Sequence, residues 1–308
     1  MAVMYLNALV AGIMEGALIG LVGMGFGLFY WVTRIFHLAY GAIFTVGAYV
    51  AFQVAVTWQM GVLAGLVAGS VAAALLGVVI DAFLYQPLTR RGVDHHMLLV
   101  SGLGANAVII SVCIMIWGGL LKYYRSSGLE DPLELGPILI IPLQLLGLLC
   151  SLGVYGLLRW LLSATMVGKS TRALIADPEV AVIIGVSPRT VRLVIAAVTA
   201  IVAAWGAILR TIGVGVSPNM DLTVLITAAT AALLGRRNGL GSVLLAGIML
   251  GIFQNVGSIL IGGEWKTSIA LIVLLVVLTM QTWFPILRRT RTGGGQAAQA
   301  RTAPPLPQ

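Results

Sequence analysis

Long apolar runs separated by short polar stretches make up most of this sequence. A helix needs about 20 apolar residues to cross a hydrocarbon core of about 30 Å, and most of the runs have that length. Because lipid offers the backbone no hydrogen-bond partners, such runs are predicted to be helical. We therefore predict an all-α polytopic membrane protein with about eight or nine transmembrane helices. The candidate spans are 8–31, 37–57, 61–85, 98–121, 138–162, 191–212, 223–235, 239–261 and 268–286.

The composition excludes an ordinary soluble domain. Hydrophobic residues make up 59% of the chain and charged residues 9%, whereas a soluble domain carries about 25% charged residues. The net charge is +8, but the basic residues stand singly or in pairs between apolar runs and form no single face. They are therefore interpreted as topology signals, and no nucleic-acid partner is expected.

The positions of the basic residues predict the orientation of the chain. Positive charge marks the cytoplasmic loops of membrane proteins, and here it falls on alternate loops. This pattern predicts an outside N-terminus and a cytoplasmic C-terminus. We expect residues 1–289 to form the transmembrane domain, with a short run at 223–235 that is tilted, broken or re-entrant. Residues 290–308 have no apolar periodicity and are expected to form a disordered cytoplasmic tail.

The longest predicted cytoplasmic loop, about 166–192, carries start and stop signals for a short helix. Asp177 suits the N-cap, Pro178 the first helical position, and Glu179 the positive helix end. Gly185 suits the position just after the helix. A helix of two turns is not stable alone in water, so its apolar stripe must dock either beneath its own bundle or into a separate cytoplasmic protein. That stripe consists of Val180, Ile183 and Ile184.

The triplet Gly168-Lys169-Ser170 resembles the end of a phosphate-binding loop, but its surroundings do not fit one. A Walker A motif needs a glycine five residues before Gly168, where this chain has Ser163. The preceding segment is also a predicted membrane span, whereas the motif follows a buried strand. We therefore predict no nucleotide site in this chain, and no cofactor.

Two ionisable residues are predicted to lie at membrane depth, where charge is costly and often functional. Glu15 falls within the first span, where it either is satisfied by a neighbouring helix or faces a solute path. Arg210 falls near the outer end of the sixth span, where it either extends to the outer interface or meets a solute carboxylate. An ion pair between Glu15 and Arg210 is a further hypothesis. His37 either caps the second span or contacts solute.

Groupings typical of metal or catalytic sites are not evident in the sequence. His95 and His96 lack further ligands at suitable spacing, so no metal site is expected. Cys113 and Cys150 lie in apolar runs and are predicted to be buried thiols. The acids are scattered, and no nucleophile has a plausible base nearby, which argues against an enzyme.

Four stretches of the chain together resemble one family. They are "GLFYWVTRIFHLAYGAIFTVGAYVA" at 27–51, "LYQPLTRRG" at 84–92, "STRALIADPEVAVIIGVSPRTVR" at 170–192 and "GVGVSPNMDLTVLITAATAALLGRRNGLGSVLLAGIMLG" at 213–251. In this order they resemble the LivH-type permease subunits of ABC importers for branched-chain amino acids, a family that also includes urea and short-amide permeases. The resemblance implies a multi-pass protein of the bacterial inner membrane.

The resemblance also implies partners. Importers of this kind contain two permease subunits, here either two copies of this chain or this chain with a paralogue, two cytoplasmic ABC ATPases and an extracytoplasmic solute-binding protein. ATP is then bound by the partner subunits, and residues 177–185 match the coupling loop. His37 and Tyr40 stand where the family usually has Asn and His, so both join Glu15 and Arg210 as tentative path residues. The alternatives are a self-sufficient secondary transporter or channel and, third, an intramembrane enzyme.

Overall fold

Twelve helices are defined in the described part of the chain, which in this computed structural model covers residues 1–124, 133–135, 138–235, 239–276 and 279. They are α1 (Ala2–Thr33), α2 (Tyr40–Phe52), α3 (Val62–Val79), α4 (Gln86–Arg90), α5 (His95–Trp117), α6 (Pro142–Ala164), α7 (Met166–Ala176), α8 (Pro178–Ile183), α9 (Pro188–Val214), α10 (Met220–Leu234), α11 (Leu240–Ile261) and α12 (Lys266–Val276). Single π-helical segments extend α2 through Gln53–Thr57 and join α3 to α4 through Ile80–Tyr85. A small antiparallel hairpin of β1 (Leu133–Leu135) and β2 (Ile138–Ile140) precedes α6.

The all-α membrane fold is confirmed. Seven helical segments in the described residues are long and apolar enough to cross a membrane, and α10 and α12 are shorter apolar helices. Each of the nine predicted runs overlaps one of these nine elements. The run predicted at 138–162 begins with β2, and its helix starts only at Pro142, which suits a first helical turn. The end of the last run and the predicted tail at 290–308 lie outside the described residues.

The second span begins in the middle of the bundle. The hydroxyl of Tyr40, the first residue of α2, donates to the carbonyl of Val22 in mid-α1 at 3.1 Å and lies 3.3 Å from the carbonyl of Thr199 in mid-α9. A Cβ built on Gly41 would lie 2.6 Å from the carbonyl oxygen of Asp221, in the first turn of α10. The N-terminal ends of two short helices therefore meet inside the bundle.

The two halves of the chain repeat one arrangement. α1 ends at Arg34, which has a left-handed backbone (φ 58°), and a short connection leads to α2. α9 ends likewise at Gly215 (φ 88°) before α10. α1 packs on α11, whereas α9 packs on α3. If successive spans cross the membrane in alternate directions, α1–α3 and α9–α11 form an inverted repeat. In many transporters such repeats place the ends of short helices near the middle of the membrane.

The packing of α1 on α11 depends on small residues. A Cβ on Gly16 would lie 2.6 Å from the Cα atom of Ile248, and one on Gly251 would overlap the backbone of Gly16. The G-x-x-x-G pair Gly247 and Gly251 therefore contributes to close packing within the bundle, as small residues do in membrane helices.

Candidate solute cavity and coupling segment

A cavity of about 430 Å³ lies between α1, α6, α9, α10, α11 and α12. The beginnings of α6 and α12 and the end of α9 line it, so it lies toward the side of the bundle that the charge pattern predicts to be outside. Its walls are partly apolar, with Leu18, Ile19 and Leu209 among the lining residues. The polar lining includes Glu15, Gln144, Arg210, Thr227, Gln254 and Lys266.

Glu15 lies in a polar network with α11 and α12. Its carboxylate accepts from the Lys266 ammonium at 3.1 Å and from the Asn255 amide at 2.9 Å. Lys266 also donates to the side-chain oxygen of Asn255 at 2.9 Å, and Gln254 donates to the Lys266 backbone carbonyl at 3.0 Å. Both charged side chains remain partly exposed to the cavity. The Glu15 charge is therefore compensated within the protein.

Arg210 lines the same cavity but forms no ion pair within 4.0 Å among the described residues. The predicted ion pair with Glu15 does not form, because Glu15 pairs with Lys266 instead. Within the described residues no carboxylate lies within 4.0 Å of the Arg210 guanidinium. Arg210 is half-buried and stands beside neutral walls of α9 and α10. Two cationic side chains, Arg210 and Lys266, and one carboxylate, Glu15, line the cavity, and the Glu15 charge also acts on Arg210. The described lining therefore has an excess of one positive charge, which favours a ligand with an anionic group.

His37 and Tyr40 lie elsewhere, in a buried aromatic cluster. His37 Nδ1 is 3.0 Å from the Tyr85 hydroxyl, and its ring lies 4.6 Å from that of Phe29. Tyr40 uses its hydroxyl on backbone carbonyls of α1 and α9. Neither side chain lines the cavity that contains Glu15 and Arg210. Their assignment to a solute path stays a prediction.

Several cavity residues were missed by sequence reasoning. Lys266 falls between the predicted spans at 239–261 and 268–286, so it was not considered as a residue at membrane depth. Gln144 and Gln254 lie within apolar runs, and a search for all polar residues at membrane depth, charged or neutral, would have found them. No group of three or more metal-ligating side chains occurs among the described residues.

The short helix predicted after Asp177 is present as α8. Asp177 Oδ1 accepts from the backbone amides of Glu179 at 3.0 Å and Val180 at 3.2 Å, and Gly185 follows with φ 89°. Ala181 is buried and anchors the helix, whereas Ile183 is 83% exposed. Val180 and Ile184 are also exposed, so the apolar stripe does not pack beneath the described part of its own bundle.

The triplet Gly168-Lys169-Ser170 is helical and forms no phosphate-binding loop. It lies in α7, whose N-cap is Thr165. Thr165 Oγ1 accepts from the Gly168 amide at 3.0 Å, and the Thr165 carbonyl accepts from the Lys169 amide at 3.0 Å. These amides are therefore occupied within the helix and cannot surround a phosphate. The predicted loop at 166–192 consists mainly of α7 and α8.

A buried polar relay connects the beginning of α9 to the third span. Arg192 lies 2.8 Å from the carboxylate of Asp81, which is 1% exposed. Gln86 donates to the other Asp81 oxygen at 2.9 Å, and Arg189 donates to Gln86 Oε1 at 3.3 Å. Because α9 starts five residues after α8 ends, this relay links the segment with the exposed stripe to the membrane core.

Comparison with known proteins identifies the family. Residues 8–278 match the family described as branched-chain amino acid transport system, permease component. The chain belongs to that family. The permease is 26% identical to the high-affinity branched-chain amino acid transport system permease protein BraD of Pseudomonas aeruginosa, over 89% of this chain and 93% of the relative. It is 23% identical to the corresponding LivH protein of Escherichia coli, over 89% and 92%.

The fold of this permease also has a solved counterpart. PsaBC from Streptococcus pneumoniae, solved in complex with a Fab, superimposes with a TM-score of 0.51 at 14% identity, covering 90% of this chain and 95% of that one. At that identity the likeness shows a common fold. The permease is thus a transport component by its family, and its fold is that of a multi-pass membrane protein.

Proposed function

We propose that this permease is the membrane-spanning subunit of an ABC importer for branched-chain amino acids or a related small polar solute. The observation that carries this proposal is the cavity at Arg210. It combines apolar walls with a guanidinium that has no carboxylate within 4.0 Å among the described residues, so it fits a small solute that has both an apolar side chain and a carboxylate. Glu15 and Lys266 lie within the same cavity as an ion pair, so their charges offset each other there.

The exposed stripe on α8 supports a cytoplasmic ATPase as a partner. Val180, Ile183 and Ile184 form an apolar surface on a two-turn helix, and the described part of the chain leaves this surface uncovered, as expected for a docking site. The relay from Arg192 to Asp81 then carries displacement of α8 toward the bundle. ATP is bound and hydrolysed on two such ATPase subunits, and this chain itself supplies no ATPase chemistry.

The relatives' permease roles and the charge pattern support a location, an orientation and two further partners for this chain. The permease lies in the bacterial inner membrane with its N-terminus outside and its C-terminus in the cytoplasm. It works with a second permease, either another copy or a paralogue, and an extracytoplasmic binding protein delivers solute to its outer side. The cavity at Arg210 lies on that side.

Co-purification and reconstitution test this function. The permease is expressed with its neighbouring genes and purified by a tag on this chain alone. We expect an ATPase subunit to co-purify, and proteoliposomes to import leucine only with ATP inside and binding protein outside. A chain that never associates with an ATPase and moves solute alone would instead be a secondary transporter or channel.

A further inference from the structure

A second cleft, separate from the cavity at Arg210, lies where α6, α7 and α11 meet. Its volume is about 330 Å³, and its lining includes Tyr155, Arg159, Ser163, Arg172 and Gly241. Arg159 and Arg172 thus bring two guanidinium groups to one cleft, and none of its lining residues is acidic. Two like charges beside one cleft without a carboxylate form a site for an anion.

The two arginines are not used elsewhere in the described residues. The Arg159 guanidinium lies 3.4 Å from the Tyr155 hydroxyl, a neutral partner one turn away on α6. Neither Arg159 nor Arg172 has a carboxylate within 4.0 Å among the residues that the structure describes. Their donors are therefore available to a ligand.

The surroundings of the cleft are those of a membrane interface. Trp160, next to Arg159 near the end of α6, is 59% exposed, and tryptophan is enriched where lipid headgroups begin. Leu245 and Met249 follow Gly241 at one-turn and two-turn spacing on α11, and both are exposed. Leu152 is exposed one turn before Tyr155 on α6. An apolar track therefore leads from the arginine pair into the membrane.

We propose that this cleft, defined by Arg159 and Arg172, binds the phosphate of an anionic glycerophospholipid. The arginines hold the headgroup, the Tyr155 hydroxyl donates a further hydrogen bond, and an acyl chain lies along the exposed residues of α6 and α11. A cleft of about 330 Å³ is at the small end of ligand sites and suits a headgroup rather than a whole lipid. Basic pockets between membrane helices recognise anionic lipids in this way.

Lipid titration of the delipidated permease in detergent tests the proposal, whether or not the chain is an importer subunit. Binding of phosphatidylglycerol and of phosphatidylcholine is measured by native mass spectrometry. We expect the combined change Arg159→Gln and Arg172→Gln to weaken phosphatidylglycerol binding about thirty-fold, because each basic residue contributes about five-fold. Phosphatidylcholine binding should not change. Arg90→Gln, which removes an exposed charge outside the cleft, is the matched control and should bind as wild type does.

Further controls distinguish a lipid phosphate from free phosphate and distinguish loss of binding from loss of folding. The combined change to lysine keeps both charges and should retain most of the binding. If the combined glutamine variant does not fold, the single changes Arg159→Gln and Arg172→Gln decide, because each should weaken phosphatidylglycerol binding about five-fold. Sodium phosphate at matched ionic strength should neither raise the melting temperature nor displace the lipid. The proposal is overturned if the glutamine variant binds phosphatidylglycerol like wild type, or if free phosphate alone occupies the cleft. It is also overturned if the combined glutamine variant keeps its phosphatidylglycerol binding but no longer co-purifies with the ATPase subunit.

Discussion

Arg192 and Asp81 form a buried ion pair at 2.8 Å that joins the first turns of α9 to the π-helical segment ending the third span. The Asp81 side chain is 1% exposed and accepts a second bond from Gln86. α9 leaves directly from the segment that carries the exposed apolar stripe of α8. The pair therefore ties the helix that follows α8 to the third span, and we propose that displacement of α8 is transmitted through it.

The Asp81–Arg192 pair is predicted to matter for both folding and coupling. Arg192→Met or Asp81→Asn alone should each destabilise the permease by about 3 to 5 kcal/mol, because one buried charge loses its partner. The variant with both changes contains neither buried charge, so its melting temperature should be close to that of wild type. Thermal unfolding in detergent measures this cycle.

Transport by the double variant then separates the two roles. If the pair transmits motion, complexes that contain the double variant should still hydrolyse ATP on their ATPase subunits but should take up little solute. Full uptake by a double variant of normal stability would limit the pair to a structural role.

A substitution on α8 tests the docking stripe. Ile183→Asp should abolish co-purification of the ATPase while leaving the melting temperature unchanged, because Ile183 is 83% exposed and makes no buried contact to lose. Val182→Asp is the matched control, since Val182 is 52% exposed but points away from the stripe. Equal loss of ATPase with both variants would contradict docking through the stripe.

Local features of this fold could be predicted from the sequence, whereas its long-range pairings could not. The cap at Asp177 and the left-handed turn at Gly185 depend on neighbouring residues, so both were predictable. The start of α2 at mid-bundle was not, because the apolar run at 37–57 continues unbroken through it. Glu15 and Lys266 are 251 residues apart, and no local pattern selects that partner over Arg210.

The predicted path residues differ from the observed cavity lining mainly at buried neutral side chains. Glu15 and Arg210 were recognised as ionisable residues within apolar runs, whereas Asp81, within the run at 61–85, was missed. His37 and Tyr40 were assigned from their place in a family pattern, and side-chain direction at a helix start is set by tertiary packing. In the structure their polar atoms are used on Tyr85 and on backbone carbonyls within the bundle.

The close contact of α1 with α11 predicts an asymmetry between two glycines. Gly251→Ala should destabilise the permease by about 1 to 3 kcal/mol, because the added methyl group overlaps the α1 backbone at Gly16 and neither backbone can yield. Gly153→Ala, on α6, meets no atom within 4 Å and should be neutral or stabilise its helix by up to about 1 kcal/mol. Melting temperatures of the two variants measure the difference. Similar values would show that α1 and α11 are less tightly constrained than the structure indicates.

Arg210 is predicted to recognise the solute carboxylate. Arg210→Gln should weaken leucine uptake about ten- to a hundred-fold, because a charge-assisted hydrogen bond to the solute is lost, while the ATPase still co-purifies. Arg210→Lys keeps the positive charge but lacks the planar guanidinium, so its leucine uptake should lie between that of wild type and that of Arg210→Gln. Competition by leucinamide, which lacks the carboxylate, sharpens the test. Wild type should prefer leucine over leucinamide strongly, and Arg210→Gln should lose that preference, whereas an arginine that only extends to the outer interface would leave it unchanged.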